Sequence, residues 1–176
     1  MIQRFYLPLI SFLLLVFQGM AMSLLPSSLV YSELLITPHW VLIILMLMAV
    51  FFDTDDTYYS ILYAVIFGLL IDMVYTSMLG VYMFTYGIVI YIVHGFKKML
   101  HGNFLVAMLL SIMGLCITEV FLYTIYFFSK VTQMPWESFL LDRLIPTVIA
   151  NLLFFFLVYP LLKSRMEKWS ETIQRN

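Results

Sequence analysis

Three ionisable residues stand inside long apolar runs of this chain: Asp72, Glu119 and Arg143. A charge at membrane depth is costly, so such residues face protein or water and usually have partners. Asp72 falls about one turn from the end of an apolar stretch. Arg143 opens a later one at a similar depth, so the spacing predicts an Asp72–Arg143 ion pair. If the two do not meet, Asp72 is expected to cap a helix or contact a partner, and Arg143 to snorkel to the headgroups. Glu119 lies deeper, roughly 14 Å from the end of its own run at 1.5 Å per residue. Its expected company is Thr147, Asn151 or a tyrosine hydroxyl. Ser60, Ala64, Gly68 and Asp72 recur every four residues, as do Arg143, Thr147 and Asn151. Residues four apart share a helix face, and small residues let helices approach closely in a membrane. Two chemistries fit: a proton or substrate path through Asp72 and Glu119, or paired polar groups that fix helix register. The second is favoured, because nothing else in the chain completes a relay.

Other clusters offer less. Asp53-Thr54-Asp55-Asp56 lacks the central Gly and distal Glu of a calcium loop and reads as a short solvated loop. His94 and His101 flank Lys97-Lys98 at a spacing that fits no zinc pattern, so a basic interfacial loop is expected. There is no Gly-x-Ser-x-Gly, His-Glu-x-x-His or phosphate-binding loop. No catalytic residue, metal or cofactor is therefore assigned.

The elements that must position these residues follow from composition. The chain has 176 residues, of which 64% are hydrophobic and 11% charged. Soluble domains run near 45–50% apolar and about 25% charged. A soluble fold of this length cannot hide so much apolar surface, whereas a bilayer can. A net charge of −1 gives no general attraction to nucleic acid, and a single cysteine excludes an intrachain disulfide. No clean small-x-small site follows the first apolar run, so a cleaved signal peptide is not expected.

Six spans are expected in one polytopic domain over 1–176, near 5–25, 39–52, 58–75, 81–96, 104–128 and 144–162. The second is short for a span but carries Trp40 as an interfacial anchor. Pro146 falls in the first turn of the sixth, where its missing N–H matters little. With the N-terminus inside, Arg4, Lys97, Lys98, Lys163, Arg165, Lys168 and Arg175 lie inside and only Lys130 and Arg143 outside. That division, seven against two, follows the positive-inside rule and puts both termini in the cytoplasm. The inner basic positions Lys97, Lys98, Lys163, Arg165 and Lys168 read first as topogenic charge and second as contacts for acidic lipid or a partner.

Two stretches go beyond composition. Phe67-Gly68-Leu69-Leu70-Ile71-Asp72-Met73, continuing through Tyr75-Thr76-Ser77-Met78-Leu79-Gly80-Val81-Tyr82, resembles the central signature of the rod shape-determining MreD family. Leu141-Asp142-Arg143-Leu144-Ile145-Pro146-Thr147, followed by Asn151, resembles that family's final-span motif. The Gly95-Phe96-Lys97-Lys98 loop and the chain length fit as well. The resemblance implies a non-enzymatic subunit of the bacterial cell-elongation machinery in the cytoplasmic membrane. Its implied partners are MreC, the MreB filament, RodA and a class B penicillin-binding protein, which together organise lateral peptidoglycan synthesis and rod shape. The compact all-α six-span architecture also looks like the substrate-binding subunits of energy-coupling-factor transporters. A small-molecule uptake subunit is thus the alternative function, with the Val131–Arg143 loop and Trp136 covering its cavity. Fold likeness alone does not transfer that activity.

Overall fold

The computed structural model describes residues 3–24, 34–54, 56–100 and 102–174. The described residues form α1 (Gln3–Leu24), α2 (Trp40–Phe51), α3 (Tyr59–Tyr75), α4 (Val81–Met99), α5 (Phe104–Phe128), the short α6 (Trp136–Ser138) and α7 (Ile145–Gln174). A π-helical stretch, Phe139–Leu144, joins α6 to α7 without a break. Two helical segments, Phe104–Phe128 and Trp136–Thr172, are long and apolar enough to cross a membrane; several shorter apolar helices accompany them.

The centre of the bundle is α2. Every residue from Val41 to Phe51 is buried. Helices α1, α3, α4, α5 and α7 pack around it. A helix apolar on all sides belongs inside other helices, and α2 contains no polar residue at all. Around it, α1 turns Leu7, Ser11, Leu15, Gln18 and Ala21 inward and leaves Leu9, Phe12, Leu13, Val16, Phe17 and Met20 exposed. The buried set repeats every 3–4 residues, the period of one helical face. Gln18 closes the polar part of this contact by accepting the Val41 N–H at 3.3 Å.

The small-residue stripe of α3 does what its spacing suggests. Ser60, Ala64, Gly68 and Asp72 are all buried. A methyl group on Gly68 would lie 2.6 Å from the Met83 Cα, so α3 and α4 meet backbone to backbone there. Only glycine permits that approach. Gly80, with φ 94°, makes the turn between them, in the left-handed region that favours glycine.

Several boundaries differ from those read in the sequence. The fourth helix runs through Met99, so Lys97 and Lys98 sit in its last turn rather than in a loop. Cations there are favoured by the helix dipole. The last helix continues twelve residues past the expected end at 162. The continuation holds good helix formers, Glu167 and Lys168 among them, and no glycine. It also buries Met166, stacks Trp169 on Tyr6 at 5.7 Å, and bonds Ser170 Oγ to the Phe52 carbonyl at 2.8 Å. The Val131–Arg143 region is helical from Trp136 onward. Tyr123, Trp136 and Phe139 pack their rings together there, with Tyr123 donating its hydroxyl to the Met134 carbonyl at 2.9 Å.

Asp53 is also not the solvated loop residue its sequence neighbours suggest. It is buried at the C-terminal end of α2 and accepts from the Ser60 N–H at 3.0 Å and the Ser60 hydroxyl. Lys97 Nζ donates to its carbonyl at 2.8 Å, and His94 Nδ1 lies 3.8 Å from Oδ2. Burial pushes its carboxyl up to about 6.

Candidate functional site

The polar groups at the other end of α2 form a single construction. It starts from Pro146. Pro146 falls in the first turn of α7, directly after the π-helical stretch, and the Asp142 carbonyl of that stretch faces the chain that precedes α2. The first-turn position is the one expected from the sequence. The Asp142 carbonyl accepts the Leu35 N–H at 2.8 Å. Residues 34–39 then run in extended form along α7, toward the start of α2. Thr147 Oγ1 accepts the Thr37 N–H at 3.0 Å and donates to the Leu35 carbonyl at 3.3 Å. Asn151 Oδ1 accepts the His39 N–H at 2.6 Å, and its Nδ2 donates to the carbonyls of Thr37 and Thr147, each at 2.8 Å.

The registers match for a simple reason. Two residues of extended chain advance about 6.6 Å, between the roughly 6 Å of four helical residues and the roughly 7.5 Å of five. Residues 37 and 39 therefore meet 147 and 151, four apart, and residue 35 meets 142, five before 147. A polar stripe on a helix serves as the hydrogen-bonding edge for a non-helical segment. Irregular backbone beside lipid needs its polar groups satisfied by protein, and here α7 and the stretch before it supply the partners.

This segment delivers His39 to the core. Its ring is fully buried, with Nε2 2.7 Å from Glu119 Oε1 and Nδ1 2.9 Å from the Tyr86 hydroxyl. The second Glu119 oxygen accepts from Arg143 Nε at 2.8 Å. Tyr86, His39, Glu119 and Arg143 thus link α4, α2, α5 and the start of α7 in one chain of hydrogen bonds. An imidazole carrying its proton on Nε2 donates to Glu119 and accepts from Tyr86, so every contact has a donor and an acceptor. The Glu119 carboxylate is balanced by the Arg143 guanidinium, which is 21% exposed.

The expected Asp72–Arg143 ion pair does not form; the partner of Arg143 is Glu119. Asp72 is fully buried and caps α4 instead. Its carboxylate accepts from the N–H groups of Gly80 (3.0 Å), Tyr82 (2.9 Å) and Met83 (3.0 Å). Orphan N–H groups and the positive end of a helix dipole make this a natural carboxylate site. Thr147 and Asn151, the expected company of Glu119, hold residues 35–39 instead, and a tyrosine hydroxyl reaches Glu119 only through His39. Neither His39 nor Tyr86 stands out in the sequence: the first lies at the edge of an apolar run and the second is one of 12 tyrosines.

The basic positions gather at the Asp53 end. Besides Lys97, Lys98 lies 5.4 Å from the Tyr58 ring, and Lys163 lies 5.6 Å from Phe51 and 4.0 Å from Glu167. Arg165 and Lys168 are exposed on α7. Among the described residues, no group of three or more His, Cys, Asp or Glu is placed to hold a metal ion.

Fold and site together define an all-helical membrane protein whose buried charges bind helix to helix. Residues 3–168 match the family described as the rod shape-determining protein MreD. The chain is 31% identical over 150 residues to the rod shape-determining protein MreD of Bacillus subtilis (strain 168), covering 85% of this chain and 86% of that one. It belongs to the MreD family of rod shape-determining membrane proteins. No solved structure matches it.

Proposed function

We propose that this protein is a six-span, non-enzymatic scaffold of the bacterial cytoplasmic membrane. Both termini lie inside, and the chain acts as one domain. It binds MreC and, with MreB, RodA and a class B penicillin-binding protein, helps organise lateral peptidoglycan synthesis. The observation that carries this reading is the family match across residues 3–168. The geometry agrees with it. His39, Glu119, Asp72, Thr147 and Asn151 are each engaged in holding one element to another. The all-apolar α2 lies between the His39 network and the Asp53 cluster, as suits a rigid platform.

The orientation rests on charge. Lys97, Lys98, Lys163, Arg165 and Lys168 collect at the Asp53 end, which the positive-inside rule places in the cytoplasm. The His39 end is then external. The broad apolar faces of α1 and α7 supply surface for lipid and for the transmembrane helix of MreC.

Affinity purification from mild detergent tests the reading. MreC is expected in the eluate, and depletion is expected to turn rod-shaped cells round before growth stops. Normal rod width and unaltered lateral wall labelling after full depletion would refute it.

A further inference from the structure

Arg143 and Asp142 have chemistry to spare. Only Nε of Arg143 is engaged, by Glu119. Among the described residues its terminal nitrogens have no hydrogen-bond partner, and neither has the Asp142 carboxylate. Both side chains reach solvent. The surroundings are those of a lipid boundary: Leu141 and Ile145 are exposed on either side, and Trp136 is half-exposed one turn and more above. Tryptophan at a helix end marks headgroup level. Ala150, seven residues beyond Arg143, returns to the same face of α7 about 10 Å deeper. There it lines a groove of about 220 Å³ with Leu153, Ile36, Pro38, Trp40 and Ala21. Residues 36, 38 and 40 alternate with those that hydrogen-bond to α7, so the extended segment turns its other side to the groove.

We propose that this is a site for one aminophospholipid, a phosphatidylethanolamine-type molecule, in the leaflet at the His39 end. The guanidinium fork suits a phosphodiester, which it binds through paired N–H donors. The neighbouring carboxylate suits a primary ammonium. A purely anionic headgroup satisfies Arg143 but is repelled by Asp142 and Glu119. A choline headgroup offers Asp142 no N–H donor. An acyl chain fits the groove because its wall is apolar apart from Asn151, whose amide is already used by the extended segment.

The test is native mass spectrometry of the full chain in mild detergent, with phosphatidylethanolamine, phosphatidylglycerol or phosphatidylcholine added at equal concentration. Wild type is expected to retain the ethanolamine lipid about tenfold better than the other two, the factor that one charge-assisted hydrogen bond is worth. Asp142→Asn should erase the preference over phosphatidylglycerol while leaving some lipid bound. The double variant Glu119→Gln/Arg143→Gln leaves no unpaired buried charge and should lose retention of all three. Ala150→Phe fills the groove and should weaken retention with the headgroup residues intact. Soluble phosphoethanolamine should give no thermal stabilisation, because it has no chain. Equal retention of the three lipids by wild type overturns the proposal. So does unchanged ethanolamine-lipid retention in folded Asp142→Asn protein, or equal stabilisation by soluble phosphoethanolamine. Loss of a co-purifying protein without loss of lipid would assign the open edge to a partner's carboxylate and also overturn it.

Discussion

Glu119 is the residue on which the buried polar chemistry turns, because it accepts from both His39 and Arg143. Removing one member of a buried pair costs roughly 3–5 kcal/mol, since the other charge is left uncompensated. Glu119→Ala and Arg143→Ala are each expected to fall toward that range, with the partial exposure of Arg143 lowering its share. A double-mutant cycle on thermal stability in detergent should give clear coupling for Glu119 with Arg143 and none for Asp72 with Arg143. Additive losses for the first pair would dissolve the network. Asp53 gives a pH-dependent counterpart. Its carboxyl is raised to about 6 from 3.8, so the folded state holds the proton more tightly than the unfolded state. That preference stabilises the fold below about pH 4 and is lost as pH rises through 6. Asp53→Asn keeps an oxygen for Ser60 and removes the charge. It should therefore be more stable than wild type at pH 7–8, with the gap closing toward pH 4. A gap independent of pH would show that Asp53 is not the titrating group.

At the scale of elements, α2 and the extended segment before it form one unit. Twelve helical residues cover about 18 Å, well short of a hydrocarbon core of about 30 Å. The six residues before it add up to about 20 Å when extended. Their backbone groups are usable there because the Asp142 carbonyl, the Thr147 hydroxyl and the Asn151 amide meet them in register. Asn151→Leu removes the acceptor of the His39 N–H and the donor to the Thr37 carbonyl. Hydrogen exchange at Thr37 and His39 should become faster in the variant, and the melting temperature in detergent should fall. Unchanged exchange at both positions would mean that Asn151 has no part in docking the segment.

For the whole molecule, the two ends of the bundle are held by different means. At the His39 end, hydrogen bonds from α7 fix the extended segment. At the Asp53 end, the continuation of α7 packs Met166, Trp169 and Ser170 against the core, Tyr6 and the end of α2. Truncation after Leu162 leaves the apolar span intact, so membrane insertion should persist. Yield of stable protein in detergent should nevertheless fall sharply. Wild-type thermal stability after that truncation would mean the continuation is an appendage. Reporter fusions after Lys98 and at the C-terminus should read cytoplasmic, and one near Gln133 external. An external C-terminus would overturn the six-span reading.

Much of this was written in local pattern. Apolar run length placed the helices, with Phe104–Phe128 matched at both ends, because the cost of exposing polar groups to lipid acts on each segment separately. The four-residue stripe on α3 marked a close helix contact, and Asp72 and Glu119 were legible as buried polar positions, with Arg143 partly buried beside them, by their cost alone. Which of them meet was not legible. Asp72 and Arg143 share a depth, but depth is one coordinate of three; the rotation of α5 gives Arg143 to Glu119, and the α3–α4 turn gives Asp72 to the N-terminus of α4. His39 and the extended segment were hidden for the same reason. The segment's backbone bonds join residues more than 100 positions apart, to a polar stripe on another helix, and the His39 ring reaches partners 47 and 80 positions away. Sequence determined what each stretch must bury; only the tertiary arrangement decided which buried groups satisfy one another.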